Sequence, residues 1–190
     1  MSTTMVSIPE SITDLAKELA ELGVQRLKTI EEQKNTKDKD RKKEIGDRIK
    51  QLNSNIQNKY KAIMDQLNKN YLNNLQNISE IDLENFLKSG GICEALGVGI
   101  DFKSTQLRKL FHQIKSIKYL LKKGEGNLPL LKTKLLPTLA YSRGRKLIDE
   151  EFFQFIKMCI YKISDRKDFD IFADIFEAIV AYHRYHNPSN

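Results

Sequence analysis

The sequence predicts an all-α protein: a compact helical bundle in the C-terminal half, with an N-terminal helical hairpin or coiled-coil-like extension. Three observations predict this. Apolar residues recur at three- and four-residue spacings along most of the chain, and no segment alternates in the manner of a half-buried strand. Only four prolines and nine glycines interrupt it, and four of those glycines fall between positions 90 and 99.

Ile12, Leu15, Leu19, Leu22, Leu27 and Ile30 define a first helix over 11–34, with Ser11 as its cap and Asp14 in the place of a capping-box acid. The polar run 35–41 reads as a turn. From 38 to 77 the apolar positions are Ile45, Ile49, Leu52, Ile56, Tyr60, Ile63, Leu67, Tyr71 and Leu75. Their spacings of 4, 3, 4, 4, 3, 4, 4 and 4 resemble a heptad seam with extra fours, so the first two helices make an antiparallel hairpin. Asparagines between 53 and 77 weaken helix propensity there. Ordinary core packing and a partner-binding coiled coil both fit this stripe.

Ser79 is read as the cap of a short helix carrying Ile81, Leu83, Phe86 and Leu87, ended by Gly90 and Gly91. Residues 92–101 then read as a Gly-rich connector, which lacks the Gly-Lys-Ser/Thr ending of a phosphate-binding loop. Residues 1–78 are assigned to the extension and 79–190 to a basic core, which is expected to stay folded without them. Ser104 is placed as the cap of a helix over 105–123, stopped by Gly124. A helix over 128–142 contains Pro137 and is expected to kink or break there. Gly144 marks a turn, and helices over 147–163 and 168–185 complete the chain.

At 190 residues the chain is long enough for one domain with a substantial core. Cys93 and Cys159 are too few for a disulfide framework and belong to no metal-ligand spacing, so no cofactor is expected. The first nine residues lack the pattern of a secretory signal, and no apolar run approaches the roughly 20 residues of a membrane span. A cytoplasmic location follows as the expectation.

Charge is the most informative feature. The net charge of +7 is unevenly spread: residues 103–146 hold twelve Lys and Arg against the single acid Glu125, a balance of +11. Residues 1–78 carry +3, whereas 79–102 and 147–190 carry −4 and −3. Clustered cations repel one another unless a dense negative partner or an acidic neighbour offsets them. A nucleic-acid partner fits such clustering, and a solvated face neutralised by the acidic C-terminal helices is the alternative.

On the 105–123 helix, Leu107, Leu110, Phe111, Ile114, Ile117 and Leu121 fall on a core-facing arc. Arg108, His112, Lys115, Tyr119 and Lys122 form a stripe beside it, with cations for phosphates and an aromatic for a base. Lys118 falls inside the apolar arc and is expected to snorkel or to meet a buried acid. Lys132, Lys134, Arg143, Arg145 and Lys146 form a second basic cluster, in which Arg143 and Arg145 flank Gly144. Their planar heads suit phosphate oxygens, although cations at a helix C-terminus also complement its dipole.

Three stretches carry a resemblance: 105–114 (TQLRKLFHQI), 135–145 (LLPTLAYSRGR) and 169–185 (FDIFADIFEAIVAYHRY). The pattern Pro-x-Leu-Ala-Tyr-x-x-Gly-Arg followed by Phe-x-Ala-Ile-Val-Ala-Tyr-His resembles the small helical subunit of type III-A CRISPR effector complexes, the Csm-type small subunit. The resemblance covers the last 85 or so residues. It implies a helical bundle without an active site, acting in antiviral defence. Copies would stack and help hold single-stranded target RNA on the crRNA guide, beside other effector subunits. Arg108 and Arg145 match the family's motifs and are the RNA-contact candidates it implies. Thr138 stands where the family often has a basic residue, and Arg143 where it usually has a small one.

Enzymatic readings find little support. His183 and His186 lack a third metal ligand nearby in sequence and read as surface histidines. Asp149, Glu150 and Glu151 suit a helix start better than acid–base chemistry, and Ser142 has no nucleophile-elbow context. The rival to nucleic-acid binding is a coiled-coil scaffold or adaptor that docks another protein through the N-terminal hairpin.

Overall fold

A computed structural model of the chain describes residues 5–102 and 104–188, with the side chains of Ser104 and Leu131 left aside. Among these residues it is all-α, with seven helices of eight residues or more. Two long antiparallel helices, α1 (Glu10–Asn35) and α2 (Lys39–Gln66), form the expected hairpin. A π-helical turn over Leu67–Tyr71 leads into the single turn α3 (Leu72–Asn74). Successive four-residue spacings drift by about 40° each around an α-helix. The wider π turn absorbs that drift, so Ile63, Leu67, Tyr71 and Leu75 are all buried. The C-terminal part of the stripe is therefore spent on the protein's own core.

Next come a 3₁₀ turn (Ile78–Glu80), α4 (Leu83–Leu87) and α5 (Ile92–Gly99). They are followed by α6 (Ser104–Lys122), α7 (Leu128–Gly144), α8 (Glu150–Tyr161) and α9 (Arg166–His186). The expected break at Pro137 is absent, and α7 runs through it.

Aspartates and an asparagine cap five of the helices. Asp38, Asp82, Asn127, Asp149 and Asp165 each accept a backbone N–H from the first turn of α2, α4, α7, α8 and α9. Ser11 lies inside α1, which begins after Pro9, and its hydroxyl donates to Gln66 Oε1 at 2.9 Å. Ser79 sits in the 3₁₀ turn, where its backbone N–H donates to Asp168 Oδ1 at 3.0 Å. The side chain of Ser104 lies outside the described residues.

The Gly-rich segment 92–101 differs most from expectation. Instead of a connector, α5 is a helix buried on every side. Apart from Glu94, its residues from Ile92 to Val98 are apolar or glycine all around, the pattern of a fully interior helix. It packs against α1, α2, α4 and α9. Its glycines permit those close approaches. A Cβ on Gly97 would stand 2.7 Å from the backbone nitrogen of His183 on α9. On α1, a Cβ on Gly23 would stand 2.5 Å from Val98 Cγ2. Gly97→Ala forces a methyl group against the α9 backbone, which cannot yield as a side chain would. We expect it to cost about 2–3 kcal/mol and to lower Tm by roughly 4–12 °C for a chain of this size, read by thermal denaturation.

One continuous core joins the two halves. Ile12, Ala16 and Leu19 of α1 and Ile56, Tyr60 and Ile63 of α2 belong to the same cluster as Phe102, Phe152, Phe155 and Phe176. Tyr60 donates to both carboxylate oxygens of Asp149, at 3.1 and 3.2 Å, tying α2 to the start of α8. The boundary expected at residue 78 thus coincides with no break in the core.

Candidate nucleic-acid interface

The basic segment folds as the antiparallel pair α6 and α7. Their packing and the 3.4 Å contact from Gln113 Nε2 to the Lys134 carbonyl set the register. In that register Arg108 and Arg145 lie toward one end of the pair, while Lys122 and Lys132 lie toward the other. The heptad-like arc of α6 is buried as expected, apart from Phe111, which is half-buried. Arg108, His112, Lys115, Tyr119 and Lys122 are all exposed beside it.

The structure divides the basic residues into engaged and available groups. Lys115 Nζ stands 3.0 Å from Glu177 Oε2 and 5.5 Å from the centre of the Phe111 ring. Lys118 meets Asp174 at 2.6 Å, an acid that is partly exposed rather than buried. These two ion pairs bolt α6 to α9. Lys132 Nζ donates to the carbonyl of Ile163 at 2.6 Å. Arg143 Nε bonds to Glu150 at 2.5 Å, across the α7–α8 turn. Arg143 is therefore a strut between helices.

Arg108, Lys122, Lys134 and Lys146 are exposed and have no acidic partner among the described residues. Lys146, rather than Gly144, takes the positive φ of the α7–α8 turn, at 53°. Arg145 is aimed by a neighbour: its Nη1 donates to Tyr141 Oη at 2.8 Å, and the guanidinium lies 5.7 Å from the Tyr141 ring centre. That hydrogen bond raises the Arg145 pKa further. Tyr141 itself is 59% exposed and is not among the residues the sequence offered as candidates. Its i, i+4 relation to Arg145 on one helix was the available signal. Tyr119 is likewise exposed, with Lys123 Nζ 4.7 Å from its ring centre.

Beside Arg108 a cleft of about 280 Å³ opens between α6 and α9. Leu107, Phe111 and Val180 give it apolar walls, with Arg108, His112 and Arg184 at its margins and His183 also lining it.

The two C-terminal histidines correct the expectation of surface residues, since both are buried. His183 Nδ1 lies 3.2 Å from the Gly97 carbonyl, and burial lowers its pKa. His186 Nε2 lies 2.9 Å from Glu94 Oε1, and Glu94 Oε2 also accepts from the Gly90 backbone N–H at 2.7 Å. Burial opposes ionisation of Glu94, but these hydrogen bonds outweigh it and hold its pKa below the ordinary value. The pair fastens α9 to α5. Among the described residues, no group of three or more His, Cys, Asp or Glu is placed to hold a metal ion. None of the described helices is long and apolar enough to cross a membrane.

No curated protein and no solved structure matches the chain. A family model described as Csm2 Type III-A matches residues 89–189. The match takes in α5 to α9 and so contains the α6–α7 basic pair and the cleft. It spans more than half of the 190 residues, and the chain belongs to the Csm2 family of small subunits of type III-A CRISPR complexes.

Proposed function

We propose that the chain is a non-catalytic RNA-gripping subunit of the effector complex, acting in antiviral defence. It would hold the backbone of single-stranded target RNA paired to the crRNA guide, and copies of it would stack beside the other subunits. The observation that carries this reading is the concentration of +11 in residues 103–146. Several of those cations, Arg108, Lys122, Lys134, Arg145 and Lys146, remain exposed on the α6–α7 pair. Lys115, Lys132 and Arg143 are held by internal partners and would serve chiefly to position the pair. Tyr119 and Tyr141 add aromatic surface beside the cations, which suits a strand with exposed bases. No groove-reading element accompanies them, so contacts to phosphate would dominate and sequence preference would be weak.

Fluorescence anisotropy with labelled single-stranded RNA over a salt series tests the reading. Each phosphate neutralised on a single strand contributes a slope of about −0.7 in log K against log salt. The pair Arg108→Ala/Arg145→Ala should flatten the slope by about 1.4. At low salt it should weaken binding roughly ten- to thirtyfold, from about 1 kcal/mol per exposed contact. An unchanged slope and affinity in the double variant would remove these two residues from the interface. Absence of RNA binding both alone and on co-purification with the effector complex would favour the scaffold reading.

A further inference from the structure

We propose that the cleft between α6 and α9 receives one unstacked nucleobase of the bound RNA strand, an inference that rests on the backbone-gripping function above. A grip on phosphates needs only cations, and cations alone do not account for this cleft. Its walls are the apolar side chains of Leu107, Phe111 and Val180, with Phe111 only half-buried and so presenting aromatic surface. At about 280 Å³ it lies at the lower limit of ligand pockets. That size suits a single planar ring system and not a docked helix. Arg108, Arg184 and His112 stand at the margins, where the phosphates on either side of an inserted base would lie.

The second observation is His183, which lines the cleft and is only 3% exposed. Its Nδ1 lies 3.2 Å from the Gly97 carbonyl and 3.3 Å from Asn187 Nδ2; in the tautomer that donates Nδ1–H to Gly97, Nε2 carries the lone pair. It has no hydrogen-bond partner among the described residues. Burial lowers the pKa of the ring. A buried acceptor without a donor is uncommon and costly. The N–H edge of a base entering the cleft brings the missing donor, while its faces meet Phe111 and the Arg108 guanidinium plane. Stacking of this kind tolerates any base, in keeping with a subunit that must serve every guide.

The experiment uses the full-length chain and two labelled RNA strands of equal length and charge. One carries all its bases, and the other has abasic riboses at its central positions. Base insertion should make wild-type binding to the abasic strand about tenfold weaker, the scale of one base–aromatic stack, at an unchanged salt slope. Phe111→Leu, which keeps volume but removes the aromatic face, and Val180→Phe, which fills the cleft, should bring that ratio close to one. The His183 ring nitrogen resonances should respond to the base-bearing strand and not to the abasic one.

Equal wild-type binding of both strands would overturn the base pocket while leaving the backbone grip intact. So would a preference for bases that survives in both cleft variants, which would place the base elsewhere. Equal RNA binding together with weakened effector assembly in Phe111→Leu would mark the cleft as a protein contact and also overturn the proposal. Failure to bind either strand at any salt would overturn the RNA-binding function along with it.

Discussion

A chain shortened to residues 79–190 is expected to lose cooperative unfolding. The physical reason is α5. Its residues Ile92 to Gly99 are buried, and α1 and α2 supply part of their cover. Removing residues 1–78 takes away Ile12, Ala16, Leu19, Ile56, Tyr60, Ile63, Leu67 and Tyr71 from the single core cluster. Burial of one large apolar side chain is worth about 1.5–3 kcal/mol, whereas a whole domain is stable by only about 5–15 kcal/mol. The seven large side chains among them amount to about 10–20 kcal/mol, as much as that whole margin or more. Glu94 would also sit at a surface, its hydrogen bond to His186 no longer shielded by α1. Guanidinium titration followed by circular dichroism should show a broad, non-cooperative change, and a hydrophobic dye should bind the truncated chain in buffer. A single sharp transition in 79–190 would show that the C-terminal half is an autonomous domain and would refute the argument.

Asp168→Ala should be the most damaging single substitution outside the apolar core. Asp168 is 1% exposed, and it gathers three segments at the start of α9. Its Oδ1 accepts the Ser79 backbone N–H at 3.0 Å. Its Oδ2 accepts the Ser164 backbone N–H at 2.8 Å and the Ser164 hydroxyl at 2.6 Å. Truncation to alanine strands these donors in a part-buried joint, at about 1–3 kcal/mol for each group left unsatisfied. We expect a total cost of about 3–5 kcal/mol and a fall in Tm of roughly 6–20 °C. Burial alone would raise the pKa of this carboxyl, but the hydrogen bonds from Ser164 and Ser79 outweigh it and hold it below 3.8. A carboxylate with a depressed folded-state pKa adds stability above its unfolded value, which disappears as pH falls through the folded value. The gap between wild type and Asp168→Ala should therefore be full at neutral pH and narrow below about pH 4. A gap independent of pH would mean that the cost comes from lost packing instead of the charge.

Much of this protein was legible in its sequence. The helical periodicity of α1, α2, α6, α8 and α9 arises because each must bury one stripe, and that stripe survives any particular packing arrangement. Charge segregation marked out the α6–α7 pair because the balance of cations and acids along the chain can be counted before any packing is known. The family motifs lie on the same pair and on α9, and the family match at 89–189 agrees with them.

Tertiary structure decided the rest. Whether glycines loosen a chain or let two helices touch depends on what stands opposite. For Gly97 the neighbour is a backbone nearly ninety positions away, at His183, which no local pattern encodes. The histidines of α9 looked like surface residues because their partners, Glu94 and Gly97, lie far back along the chain. Lys115 and Lys118 find their acids on α9, and Lys132 finds the Ile163 carbonyl at the end of α8. The sequence by itself determined the fold class and the location of positive charge, because both are set by residue type and spacing. Which cations stay available for a partner, and that α5 is a core helix, were decided only by long-range packing, because an ion pair or a buried flank exists only once distant segments meet.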